Sequence, residues 1–195
     1  MSISVLDLFK IGVGPSSSHT VGPMRAAHDF VAELQRRGLL DQVRRIEAKL
    51  YGSLSATGVG HGTDRAVVAG LMGARPDEVD PDFLVGAVDA VRIDASLPLG
   101  GTTAVPFEWT RDLRLLPVSL PYHPNAMRLA AHGAAGVLYE NTYYSVGGGF
   151  VVDEAQAQSG APAEAAVAVP YPFDTGAELL AQCRRHGLRI SELML

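Results

Sequence analysis

Between residues 23 and 51 the chain changes its hydrophobic period, and that change restricts the fold more than any other feature. In "MRAAHDFVAELQRRG", apolar Met24, Ala27, Phe30, Val31 and Leu34 recur at helical spacing. Pro23 stands where a first-turn proline is tolerated, and Gly38 is a C-terminal stop. In "RRIEAKLYGS", Ile46, Ala48 and Leu50 alternate with Arg45, Glu47 and Lys49, the period of a half-buried strand. Helices alternating with strands imply an α/β domain, or its α+β variant. The expected sheet is mixed. It includes the strand near 43–51 and is covered by helices near 23–37 and 63–73.

The remaining segments fit that scheme. "SVLDLF" is a short apolar opening, helix or strand. "GVGHGTDRAVVAGLMG" is a glycine-rich turn into a second helix, with Thr63 or Asp64 as its cap. "DPDFLVGAVDAVR" reads as a third helix, capped by Asp80 with Pro81 in its first turn. Five prolines make "LPLGGTTAVPFEWTRDLRLLPVSLPYHP" strand-and-turn material. "NAMRLAAHG" reads as a short helix, and "GVLYENTYYSVGGGFVV" as two strands around Ser145 and three glycines. Alanine-rich 154–169 reads as a loop or weakly ordered insertion, and "TGAELLAQCRRHG" as a final amphipathic helix.

Composition removes several functions. With 195 residues, 47% hydrophobic and 19% charged, the chain is globular and can bury a core. A formal net charge of −5 argues against a general nucleic-acid binder. No apolar run is long enough for a membrane span. "MSISVLDLFK" lacks the pattern of a signal peptide, so a cytoplasmic protein is expected. Cys183 is the sole cysteine, which excludes an internal disulfide and any cysteine cage built by this chain alone. Beside "RRH" in a helix, it reads as a half-buried structural thiol.

Three turns combine glycine with polar side chains: "GPSSSHTVGP", "GVGHGTD" and "YYSVGGGF". Glycine lets a backbone approach a ligand closely. The run Ser16, Ser17, Ser18, His19, Thr20 leads into a helix N-terminus, where free N–H groups favour an anion. None of the three is a Walker loop or a dinucleotide fingerprint. Of six histidines, His28 reads as a partly exposed helical side chain, and His132 and His186 as caps at helix ends. His123, in "YHPNAM", has a functional and a structural reading of equal weight. His19 and His61, on glycine-flanked turns, suit general acid–base work. Their spacing fits no zinc motif.

"GPSSSHTVGPMRAA", "YGSLSATGVGHGTD", "HPNAM", "YYSVGGGF" and "PYPFDTGAELL" together resemble the N-terminal, or beta, domain of the iron–sulfur L-serine dehydratases, also called L-serine ammonia-lyases. The resemblance covers residues 1–195 as one beta domain and implies conversion of L-serine to pyruvate and ammonia. It implies a [4Fe–4S] cluster acting as a Lewis acid, held by the cysteines of an alpha domain that this chain lacks. The chain is then expected to be a fragment or a separate beta subunit, inactive and metal-free alone, and a homodimer by default. His61 becomes the base at Cα, and His19 the second catalytic candidate. The substrate-binding set comprises Ser16, Ser17, Ser18, Thr20, Gly62, Thr63, Asp64, His123, Asn125, Ser145, Gly147 and Gly148. The family's beta domain is also similar to the allosteric substrate-binding domain of some phosphoglycerate dehydrogenases. That similarity implies an alternative, a regulatory module for a small anion such as serine, with catalysis carried wholly by the missing domain. A third reading is a structural dimerisation domain.

Overall fold

The computed structural model describes residues 12–159 and 170–194. By internal contact the chain divides into a larger unit, 11–163, and a smaller one to which 170–194 belong. The apolar opening "SVLDLF" and residues 160–169 lie outside the described residues.

The larger unit starts with a π-helical turn, Ser17–Val21, that runs directly into α1 (Gly22–Arg36). Then come β1 (Arg45–Tyr51), α2 (Gly52–Thr57), α3 (Thr63–Leu71) and α4 (Pro81–Asp94). A separate hairpin, β2 (Ser96–Leu99) and β3 (Thr103–Pro106), leads to α5 (Trp109–Asp112) and β4 (Leu113–Leu116). The unit continues with β5 (Ala126–Gly133), β6 (Gly136–Gly147), β7 (Phe150–Asp153) and α6 (Glu154–Ser159).

Five strands form one mixed sheet in the order β4-β1-β5-β6-β7. β4 is parallel to β1, and the other pairs are antiparallel. The expected α/β class, with a mixed sheet and covering helices, therefore holds. Ile46, Ala48 and Leu50 of β1 share one buried cluster with Met24, Ala27, Phe30, Val31 and Leu34 of α1 and with Val67 and Leu71 of α3. The two periods read from the sequence are thus the two faces of a single core. Gly70 lets α3 lie on α1, because a Cβ there would collide with the Met24 carbonyl and Ala27.

Most element assignments hold. Gly38 ends α1 with φ +66°, and the Asp80 side chain accepts from the Asp82 N–H to cap α4. His28 lies on α1, partly exposed, 3.4 Å from Asp29. Some expectations need correction. "NAMRLAAHG" is strand β5, not a helix. Its Ala, Leu and Met favour helix intrinsically, but pairing with β1 on one side and β6 on the other decides the outcome. His132 accordingly ends no helix. It pairs with Arg45 across β5 and β1, at a register shift between β5 and β6. Residues 154–159, expected as loop, form α6.

The smaller unit holds α7 (Gly176–His186) and α8 (Ile190–Leu193). Thr175 and Glu178 form a reciprocal capping box at the start of α7. His186 lies in its last turn before Gly187, and Cys183 is half-buried on the same helix.

Candidate functional site

The site begins with a missing proton donor. Pro23 has no N–H, so the carbonyl four residues earlier, that of His19, receives no helical hydrogen bond. The chain does not simply start a new helix here. It widens: the Gly22 N–H donates to Ser17, five residues back, which makes the turn Ser17–Val21 a π-turn. The orphaned His19 carbonyl is satisfied from elsewhere, accepting from Thr63 Oγ1 at 2.5 Å. Thr63 is fully buried. It does not cap α3, contrary to expectation, because its hydroxyl is engaged there. Gly62 takes the cap position instead, with φ +66°, a conformation that glycine adopts without strain.

A reciprocal bond completes the tie. Thr20 Oγ1 donates to the His61 carbonyl at 2.9 Å. Thr20 and Thr63 thus stitch together two turns more than forty residues apart, each through the carbonyl of the other turn's histidine. The rings of His19 and His61 face each other with centroids 5.1 Å apart, tilted by 38°. The turns 14–20 and 58–64 thus lie side by side.

The two histidines are held differently. His61 Nδ1 lies 3.0 Å from the Thr57 carbonyl. A carbonyl only accepts, so Nδ1 carries the proton and Nε2 presents a lone pair. His19 has both ring nitrogens engaged: Nδ1 with Ser18 Oγ and Nε2 with Ser53 Oγ, each at 2.9 Å. Burial, and secondarily the neighbouring His61, lower the His19 pKa below its ordinary value.

The serine run is less open than the sequence suggests. Ser16 Oγ accepts from the His19 N–H at 3.1 Å, and Ser18 Oγ contacts the His19 ring. At least two of the three serines therefore shape the turn. Asp64 occupies the first turn of α3, where a carboxylate suits the helix dipole.

The "HPN" motif joins α2 through Ser53 and the "SVGGG" motif through Asn125. The Ser53 N–H donates to the Pro124 carbonyl at 3.0 Å. The His123 ring accepts from the Asn125 N–H at 3.1 Å, and burial lowers its pKa. Asn125 Nδ2 donates to the Ser145 carbonyl at 3.2 Å, and the Ser145 N–H returns a bond to the Asn125 carbonyl at 2.9 Å. Ser145 is completely buried and packs against Gly22 at the start of α1. Its Oγ has no hydrogen-bond partner among the described residues. A buried hydroxyl without a partner calls for an explanation. Gly147 ends β6 with φ +102° and pairs with Phe150, and Gly148 and Gly149 form the β6–β7 turn with φ +58° and +76°. No hydrogen bond among the described residues joins them to the histidine pair.

Ser53 and Thr57 did not stand out in the sequence. Only the quoted "YGSLSATG" contains them, and nothing in that stretch announces a contact with a histidine.

Among the described residues no three or more His, Cys, Asp or Glu side chains are arranged to hold a metal ion. The one thiol, Cys183, lies on α7. Iron–sulfur clusters use about three or four thiolates, so the cluster that the resemblance implies does not fit this chain's own donor set. Nor is any helix among the described residues long and apolar enough to cross a membrane.

Residues 4–156 match the family model described as serine dehydratase beta chain. The chain is 46% identical over 194 residues to L-serine dehydratase 1 of Escherichia coli (strain K12), covering 99% of this chain and 42% of that protein. It is 48% identical over 197 residues to L-serine dehydratase of Streptomyces coelicolor, covering 100% of this chain and 43% of that protein. It is 45% identical over 197 residues to L-serine dehydratase of Mycobacterium tuberculosis, covering 100% and 42%. The chain thus spans less than half the length of these relatives.

Proposed function

The chain belongs to the serine dehydratase beta-chain family, and from that premise we propose that it is the beta part of an L-serine dehydratase, converting L-serine to pyruvate and ammonia. One observation carries the reading. His61 is tied by Nδ1 to the Thr57 carbonyl, so its Nε2 lone pair is free to accept a proton beside a second histidine. In the proposed reaction His61 Nε2 removes the Cα proton of L-serine. The electron pair left at Cα forms the double bond to Cβ as hydroxide departs. His19, held low in pKa, stays neutral and adds no competing charge.

The turn residues serve the carboxylate. Ser17 and the unpaired hydroxyl of Ser145 supply neutral donors near the start of α1. A carboxylate oxygen reaching Ser145 would also remove the penalty of its buried, unpartnered hydroxyl. Asn125 acts through the Ser145 backbone, and His123 through Asn125. An electrophile for the departing hydroxide lies outside this chain's donor set. The greater length of the relatives leaves room for a cluster-bearing alpha domain as its partner.

Anaerobic reconstitution tests this. The chain is mixed with the part of the E. coli relative that it does not cover, iron and sulfide are supplied, and pyruvate formation from L-serine is followed. Activity should require both polypeptides. A mixture that incorporates the cluster yet forms no pyruvate would overturn the reading.

A further inference from the structure

We infer that Ser53 is a positioning residue for His19, fixing which of its ring nitrogens carries the proton. This role presupposes the histidine pair proposed above and adds a residue from α2 that neither histidine turn contains.

Two hydroxyls contact the His19 ring, Ser18 at Nδ1 and Ser53 at Nε2. A neutral imidazole has one N–H and one lone pair, and a hydroxyl can serve either. One orientation of the surrounding hydroxyls satisfies these contacts in a single direction. Ser16 Oγ accepts from the His19 backbone N–H. The inferred orientation has Ser16 giving its own proton to Ser18 Oγ, a long contact at 3.4 Å. Ser18, already accepting, gives its proton to Nδ1. The ring proton therefore sits on Nε2, and Ser53 Oγ accepts it. Donors run one way, from Ser16 through Ser18 and His19 to Ser53.

Ser53 is itself anchored. Its N–H donates to the Pro124 carbonyl at 3.0 Å, and its carbonyl accepts from Thr57 Oγ1 at 3.0 Å. Thr57, one helical turn on, in turn accepts the His61 ring through its carbonyl. α2 thus holds both histidines: His19 as the Nε2–H tautomer through Ser53, and His61 as the Nδ1–H tautomer through Thr57. The opposite tautomers give the pair one free basic nitrogen, His61 Nε2. His61 is the titratable group that faces His19 among the described residues.

Ring-nitrogen NMR on the complete 195-residue chain tests this without any need for turnover. Wild-type His19 should show the Nε2–H tautomer. Ser53→Ala removes the acceptor and should move the tautomer ratio toward Nδ1–H by about fivefold, the worth of one hydrogen bond. Ser53→Thr keeps the hydroxyl and should restore the wild-type spectrum. If Ser53→Ala does not fold, Ser53→Cys, a weaker acceptor, is read in the same way. A wild-type His19 in the Nδ1–H form, or ring signals unmoved by loss of the hydroxyl, would overturn the inference. The expected tautomer shift in a chain that supports no turnover on reconstitution would instead sink the proposed function and leave the role of Ser53 standing. With active enzyme, Ser53→Ala should displace the acid limb of the kcat/KM profile, and Ser53→Thr should not.

Discussion

The Thr63 hydroxyl donates to the backbone carbonyl of His19, the one acceptor that Pro23 deprives of a helical partner. Pro23 thereby creates, at the His19 carbonyl, a demand that a threonine 44 residues after His19 meets. Because Thr63 is fully buried, its loss leaves that carbonyl unpaired. Thr63→Val keeps the shape and should cost about 1–3 kcal/mol in urea unfolding. Thr63→Ser should recover most of it. Equal stability of the Val variant would mean that the cross-tie contributes nothing.

Ser145 is expected to behave in the opposite sense. Its hydroxyl is buried without a partner, so Ser145→Ala should leave the unliganded protein as stable or slightly more so, by up to about 1 kcal/mol. The same change should weaken L-serine binding, measured by calorimetry on the reconstituted enzyme. A variant that loses stability yet binds normally would show the hydroxyl to be structural.

Gly22 and Gly70 mark two close approaches around α1. A Cβ on Gly22 would strike the Ser145 side chain, and one on Gly70 would strike the Met24 carbonyl and Ala27. Each Gly→Ala change should cost about 1–3 kcal/mol through overpacking, despite alanine's better helix propensity. Ser145→Ala should relieve only part of the Gly22→Ala loss, because the Ser145 Cβ also lies within 3.0 Å of the added atom. Thermal unfolding of the single and double variants measures this directly.

His61→Ala in the reconstituted enzyme should lower kcat at least about 10²-fold with little change in KM. A base acts only in the transition state, so kcat and kcat/KM should fall together. His61 also anchors its turn through Thr57, so folding of the variant is checked first by circular dichroism. Turnover near wild type in a well-folded variant would remove His61 from the mechanism.

Acidification should destabilise the protein through His19. Its folded pKa lies below the ordinary 6.5, chiefly through burial and then through His61. Below pH 6.5 the unfolded chain therefore binds more protons than the folded one, and stability rises with pH. The loss on acidification stops once the pH falls through the folded pKa. His123, also lowered by burial, acts in the same direction. Urea unfolding between about pH 7.5 and about pH 5.5 should show the slope. The double variant His19→Gln, His123→Gln should flatten it. An undiminished slope would assign it to other groups.

By itself the sequence determined the elements whose signal is local. The helical period of 23–37 and the alternation of 45–50 are visible because each side chain's face depends on its own position in a regular backbone. The positive φ of Gly147, Gly148 and Gly149 was foreshadowed for the same reason, since a run of three glycines suits a left-handed turn. The pairing of His19 with His61 could only be suspected, from two similar turns. The tertiary structure decided whatever depends on a distant partner. "NAMRLAAHG" became a strand because edges were offered on both sides of it. Thr63 ceased to be a cap because Pro23 had left a carbonyl open elsewhere. Ser53 reached the site because the "HPN" carbonyl holds its backbone beneath His19. A hydrogen bond forms wherever unmatched donors and acceptors meet, and the chain order does not say where that will be.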